Sequence, residues 1–312
     1  MSTFYHAVVR FLHDLGSIGW ENLAIAVGFH LLRLAMRCPA WRNILRASYP
    51  GVRVPLLSTA GAYLAGVGIN SVIPARSGDA LKLFLVKRRI EGSHYPTLGA
   101  TLIPETFFDS IVAAGIVGWA LVAHTLPGFG ALPSLDTVDW SWPYRHQYAT
   151  AIVLGVVIIA SVVGLVMIED RLEAFWARVR QGFAIFFDWR RYLLQVVTWQ
   201  TASWAFRAAS VFWFLKAFHM PATAHNALIV LSVQSIATLL PITPGGVGTT
   251  QGLLVVAFKD KVASSVVLGF SVGMHVAMIV ANLVVGFTAI GLMLRTLRWR
   301  QVVRPEERLA ER

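Results

Sequence analysis

Three groups of residues have types and spacing suited to chemistry at membrane depth. The first is Asn70-Ser71-Val72-Ile73-Pro74-Ala75-Arg76-Ser77-Gly78-Asp79. Pro74 lacks an N–H and clashes with the preceding turn, so a regular helix breaks there. Asp79 is placed to cap the helix that follows. Arg76 then sits at a chain reversal between apolar arms. A guanidinium there either grips a phosphate bidentately or forms a fixed ion pair with Asp79, Glu105 or Asp109. The second group is Glu105 and Asp109, at i and i+4 and therefore on one helix face. Two acids on such a face suit a proton site or a partner for Arg76, and equally a structural pair. Pro104, just before them, is expected to kink the helix and free carbonyls. The third group is Pro241-Ile242-Thr243-Pro244-Gly245-Gly246-Val247-Gly248-Thr249-Thr250-Gln251. Glycine backbone lets a ligand come close, and its amides can form an anion-binding nest. The alternative is close helix packing by small residues.

Arg33 and Arg207 are further candidate headgroup contacts. Snorkelling is the other reading, stronger for Arg33, which is expected near a helix end. His275 and Asn282 lie seven apart, on one face of the last apolar stretch, where interhelical hydrogen bonding is the ordinary role. The other histidines have no metal spacing, and HExxH and CxxC are absent. Cys38 is the single cysteine, so an internal disulfide and a thiolate cluster are excluded. No Walker A loop is present. No metal, no cofactor and no catalytic residue are expected.

These groups need elements that carry polar residues through apolar surroundings. The 312 residues are 56% apolar and 14% charged, against roughly a quarter charged in soluble domains. That excludes an ordinary soluble enzyme and a disordered chain. A spanning helix needs about 20 mostly apolar residues. Gly19–Arg37, Thr97–Ala123, Ala151–Ile168, Tyr192–Leu215 and Val262–Leu294 meet that length or come near it. His225–Phe258 is apolar throughout but broken at its centre by the Pro/Gly group. As one helix, at about 1.5 Å per residue, it would overshoot a core of about 30 Å. It reads as a re-entrant hairpin, which survives at membrane depth only inside protein or beside water. Val54–Val86, broken at Pro74, reads as a second hairpin. Residues 170–191, rich in Trp, Phe and Arg, read as an amphipathic helix on the inner leaflet.

The net charge of +11 would suggest nucleic acid in a soluble protein. Here the basic residues collect in alternate loops. Arg37, Arg42, Arg46 and Arg53 lie in one, and Lys87, Arg88 and Arg89 in the next. Arg171, Arg178, Arg180, Arg190 and Arg191 lie in a third, and six arginines in the tail from Arg295. The opposite loops hold only Arg10, Arg145, Lys216, Lys259 and Lys261. The positive-inside rule then puts the N-terminus outside and the C-terminus in the cytoplasm. No cleavable leader is expected at the N-terminus.

Positions about 170 apart correspond. Arg33 matches Arg207, the break at Pro74 matches that at Pro244, and Glu105 matches His275. The expected fold is an all-α polytopic membrane protein, an inverted repeat of span, re-entrant hairpin and span with a central linking helix. It forms a single integral domain. Repeat A covers about residues 19–124, the linking and amphipathic segments about 148–191, and repeat B about 192–294, with a basic cytoplasmic tail at 295–312. Inverted repeats of this kind place two discontinuous elements near the midplane of secondary transporters.

At the two breaks the chain resembles the transmembrane, flippase-like domain of the lysylphosphatidylglycerol synthetase family, over roughly residues 19–295. The likeness rests on LRLAMRCPAWRNIL, GINSVIPARSGDALKLFLVKRR, PETFFD and LLPITPGGVGTTQG. Asn70, Pro74, Arg76, Gly78, Glu105, Asp109, Pro241, Pro244, Gly245, Gly246 and Gly248 fit the family pattern. Asp79 stands for Glu, Thr106 for Arg and Gln251 for Glu, so the charge network is altered and the headgroup need not be the family's usual one. No soluble aminoacyl-transfer domain is recognised, so lipid aminoacylation is not carried over.

The resemblance implies lipid translocation between leaflets of the cytoplasmic membrane, with a phospho-, glyco- or hopanoid-type lipid as cargo. Asn70, Arg76, Asp79, Arg207, Gly245, Gly246, Gly248 and Gln251 are the expected substrate contacts. Glu105, Asp109 and His275 are the expected proton or ion-pair network. Partners are membrane lipids with an anionic headgroup and no nucleic acid; a homo-oligomer and a lipid-synthesising enzyme stay open. The rival readings are a scaffold for a lipid-modifying pathway and a membrane-embedded headgroup transferase, and enzyme activity is not expected.

Overall fold

A computed structural model describes residues 18–73, 77–123, 125, 169–239, 248–259 and 261–296. The described elements are helical, with no strand among them. The first half holds α1 (Trp20–Ser48), α2 (Leu56–Asn70), α3 (Ser77–Lys87), α4 (Tyr95–Ala100) and α5 (Ile103–Val122). Then come α6 (Glu169–Gly182), a short 3₁₀ turn (Ala184–Phe187) and α7 (Trp189–Tyr192). A π-helical stretch (Leu193–Val197) leads into α8 (Thr198–Ala217). The second half continues with α9 (Ala224–Leu239), α10 (Thr249–Ala257) and α11 (Ser264–Thr296). Among the described residues, three stretches are long and apolar enough to cross a membrane: Trp20–Ser48, Tyr95–Val122 and Ser264–Met293. The expected span Ala151–Ile168 lies outside the described residues.

The first helix runs eleven residues past the expected end at Arg37, to Ser48. Pro39 lies inside it. The helix continues because Trp41, Ile44 and Leu45 beyond the proline are fully buried, and that burial outweighs one missing backbone bond. Arg37, Arg42 and Arg46 are therefore helix residues rather than loop charges. Arg33 accordingly lies mid-helix rather than near its end.

The kink expected at Pro104 falls one turn earlier, at Thr101 and Leu102 between α4 and α5. Pro104 then sits in the first turn of α5, where a missing N–H costs nothing. The bend is pinned from two sides. Trp41 Nε1 donates to Thr101 Oγ1 at 3.2 Å, and the Tyr192 hydroxyl donates to the Pro104 carbonyl at 3.1 Å.

Helices α1 and α8 run antiparallel along their length. Gly19 N donates to Ala217 O (3.0 Å), Ser210 Oγ to Ala26 O (2.9 Å), and Phe29 stacks on Phe206. Farther along, Asn43 Nδ2 donates to the Gln195 carbonyl (2.8 Å) inside the π-helical stretch, where the wider turn leaves backbone groups available.

The other large contact joins the halves crosswise. Helix α2, from the first half, packs on α11, from the second, and α9 packs on α5. At the α2–α11 contact a Cβ on Gly286 would stand 2.5 Å from Gly68 Cα, so only glycine lets the two backbones approach this closely. On the α9–α5 side Ser232 Oγ donates to the Ile116 carbonyl at 3.3 Å.

Three apolar clusters result among the described residues, the smallest gathering Ala40, Ile44, Ile185, Tyr192 and Val196. Of the two larger, one gathers Phe214, Leu231, Leu254 and Phe270; the other gathers Trp41, Tyr63, Val86 and Leu98, with Met293 reaching in from α11. Val276, Val280, Val284 and Phe287 form an exposed apolar stripe along α11, a surface suited to lipid and unfavourable in water. Helix α6 forms where an amphipathic helix is expected and packs on α4. Gln181, near its end, donates to the Ser48 carbonyl at 2.8 Å.

Candidate functional site

Two polar sites lie among the helices. The first is a closed ion network. Arg37, on α1, places Nη2 2.6 Å from Asp109 Oδ2 and 3.9 Å from Glu105 Oε2. Lys82, on α3, lies 3.8 Å from the same Glu105 oxygen. Its ammonium also lies over the rings of Trp41 and Tyr63, at 4.0 and 4.1 Å from their centroids, a favourable place for a desolvated cation. Trp204 Nε1 donates to the other Asp109 oxygen at 2.8 Å. Glu105 and Asp109 do share one helix face, as their spacing predicts. Their ion-pair partners among the described residues are Arg37, a helix residue rather than the inner-loop charge expected, and Lys82.

The second site is an open cavity of about 180 Å³, lined by His30, Arg33, Arg207, Ser210, Val211, Gln234, Thr250, Ser271, Met274, His275 and Met278. Arg207 Nη2 donates to Gln234 Oε1 at 3.0 Å and its guanidinium lies 4.6 Å from the centroid of the Trp204 ring. Trp204 thus joins the two sites, one edge on Asp109 and one face under Arg207. His30 Nε2 pairs with Asn282 Oδ1 at 2.8 Å, the interhelical bond expected of Asn282. The lining contains two guanidinium groups and, among the described residues, no carboxylate. Ser271 Oγ is buried without a partner in the same wall.

The breaks in α2–α3 and α9–α10 are made in parallel ways. In the first, Gly78 N donates to Asn70 Oδ1 at 2.8 Å, and Asn70 Nδ2 reaches Asp79 Oδ1 at 3.4 Å. The helix begins at Ser77, so Asp79 lies inside its first turn rather than at its cap, and Asn70, from the preceding helix, accepts from the Gly78 amide. Asp79 lines a separate cavity of about 320 Å³ with Thr106, Phe107 and Ser110. Gly78 packs so tightly that a Cβ there would collide with the Gly66 carbonyl. In the second break, Gly248 N donates to Gln251 Oε1 at 2.6 Å. Gly248 has φ +88°, a left-handed conformation that favours glycine. Both Gly78 and Gly248 amides are thereby partnered within the chain.

Of the residues expected at the site, Arg207 and His275 line the open cavity. Glu105 and Asp109 form the closed network, and Asn70, Asp79, Gly248 and Gln251 shape the two breaks. Arg76, Gly245 and Gly246 lie outside the described residues. Arg33, named as a headgroup candidate, faces the same cavity as Arg207. Residues that the sequence did not mark are Arg37, Lys82, Trp204, Gln234 and Thr250. A signal for Arg37 existed: it lies four residues after Arg33, on the same helix face.

The family model described as the lysylphosphatidylglycerol synthase TM region matches residues 4–286. A curated protein that the chain is similar to is the glycosyltransferase AglD of Haloferax volcanii, 31% identical over 138 residues. That match covers 44% of this chain and 21% of AglD, so the chain corresponds to about a fifth of the relative's length. No solved structure matches. With its apolar helices and this match over nearly the whole sequence, the chain is a membrane protein with a lipid-related function and belongs to the lysylphosphatidylglycerol synthase TM region family.

Proposed function

We propose that this protein is a flippase-type transporter that moves an amphipathic lipid between the leaflets of the cytoplasmic membrane. The observation that carries the reading is the open cavity with two uncompensated guanidinium groups, Arg33 and Arg207. These arginines are 174 residues apart, at matching positions of the two halves. An isolated cation at membrane depth is costly unless paired or hydrated, so two of them in one wet pocket suit an anionic headgroup whose tails stay in the bilayer.

The crosswise packing of α2 on α11 and α9 on α5, together with antiparallel α1 and α8, supports an inverted repeat. In that repeat α2–α3 and α9–α10 act as re-entrant hairpins entering from opposite faces. The N-terminus lies outside and the C-terminus inside. Rocking of one half against the other would expose the cavity to each leaflet in turn, driven by a lipid or ion gradient. The headgroup is held by Arg207 and Arg33, with Arg76 and the Gly245–Gly246 backbone as further contacts. The Glu105–Asp109 network ties α1, α3 and α5 together or carries a proton.

The test is leaflet exchange of a fluorescent anionic phospholipid in proteoliposomes. The double variant Arg33→Gln/Arg207→Gln is expected to abolish exchange while eluting as the folded protein. Undiminished exchange overturns the proposal. The relative's name favours one second reading, a transferase acting on lipid headgroups. It predicts product formation when purified protein meets a lipid acceptor and a sugar donor, with Glu105 or Asp109 as base.

A further inference from the structure

The charge inventory of the two sites narrows the cargo. Glu105 and Asp109 are held by Arg37 and Lys82. Arg207 meets Gln234 and the Trp204 face, neither of which cancels its charge. Arg33 has no carboxylate within ion-pair distance among the described residues, and neutral Gln251 follows the cavity residue Thr250 in sequence. Thr250 lies in the first turn of α10, whose amide end adds partial positive charge. Ser271, 1% exposed, presents a hydroxyl with no partner to the same space.

Resting on the lipid-transport reading above, we infer that this cavity takes a phosphate monoester headgroup in preference to a phosphodiester. A monoester carries about −1.5 to −2 charges at neutral pH, which matches two fixed guanidinium groups. A phosphodiester carries one charge and leaves the second guanidinium unmatched. The monoester also offers three terminal oxygens, enough for a bidentate guanidinium, a second guanidinium and the Ser271 hydroxyl together.

The experiment is a binding titration of the purified full chain at pH 8 with two lipids of identical tails. One is dioctanoyl phosphatidate. The other is dioctanoyl phosphatidylmethanol, in which a methyl ester removes one charge and little else. The phosphatidate is expected to bind at least about tenfold tighter. Equal affinities overturn the inference. If both lipids then lose binding in Arg33→Gln/Arg207→Gln, the anionic-lipid reading stands while the monoester preference falls.

A third arm uses inorganic phosphate, expected to bind at least about a hundredfold more weakly than phosphatidate because it has no tails to bury. Equal binding of the two assigns the cavity to free phosphate and overturns a lipid source. The double variant Arg33→Lys/Arg207→Lys keeps both charges and is expected to keep the preference, whereas the glutamine pair loses it. A preference that survives in the glutamine pair places the selectivity elsewhere and overturns the inference.

Discussion

The closed network and the open cavity share helices α1 and α8, yet they treat charge in opposite ways. In the network, Arg37, Lys82, Glu105 and Asp109 neutralise one another, with Trp41 and Tyr63 sheltering the lysine. In the cavity, Arg33 and Arg207 share one lining that, among the described residues, holds no carboxylate. The first arrangement satisfies itself, which is what a structural clamp requires. The second is satisfied only by something from outside. Intramembrane charge alone therefore does not mark a binding site; charge that its neighbours leave uncompensated does.

The sharpest way to break this contrast is to remove one member of each site and measure stability. Glu105→Ala leaves Arg37 and Lys82 facing each other without their shared carboxylate, and Lys82 is only 4% exposed. Breaking a buried pair in this way costs about 3–5 kcal/mol. Thermal unfolding in detergent is expected to shift down strongly, with loss of the folded elution peak as temperature rises. Arg207→Gln removes a charge that has no carboxylate within ion-pair distance among the described residues, and unfolding is expected to stay put or move up. Equal losses from the two variants would erase the distinction between the sites.

The next test strikes the wall between the halves. Gly286→Leu would drive a side chain into Gly68 Cα, and overpacking of this kind costs about 1–3 kcal/mol. The expected result is lower thermal stability together with slower leaflet exchange. Retained stability would mean that α2 and α11 are not in close contact, and the support for reciprocal packing would go.

The two sites differ in how far the sequence disclosed them. Breaks at Pro74 and near Pro244, the long α11 and the shared face of Glu105 and Asp109 follow from local rules: proline chemistry, helix length and the i, i+4 spacing. The partners do not follow, because Lys82 reaches Glu105 across packed helices and Trp204 reaches Asp109 from 95 residues away. The count of basic residues by loop places Arg37 in an inner loop with Arg42, Arg46 and Arg53. Burial of Trp41, Ile44 and Leu45 carried the helix onward, and only tertiary packing supplies that term. Asn70, an expected substrate contact, receives the Gly78 amide on its side-chain oxygen. Removing that bond by Asn70→Ala is expected to cost about 1 kcal/mol, read as a small drop in thermal unfolding with ligand binding retained. A loss of binding larger than the loss of stability would make Asn70 a substrate contact as well as a brace for the turn.

The smallest effect bears most directly on the cavity. Gln251 holds the Gly248 amide through its side-chain oxygen, and a glutamate oxygen accepts that bond equally well. Gln251→Glu therefore leaves the turn intact and changes one quantity, the charge beside Thr250 at the start of α10. A carboxylate there offsets part of the positive field of Arg33, Arg207 and the helix end. Partly solvated, it is worth a few tenths of a kcal/mol to about 1 kcal/mol, so affinity for a dianionic lipid should fall by about threefold. A monoanionic lipid should lose less than that, because each charge on the ligand feels the carboxylate separately. The substitution thus narrows the gap between the two lipids without touching either arginine. If both affinities stay unchanged, the first turn of α10 does not contribute to the field in the cavity, and the headgroup is held by the arginines alone.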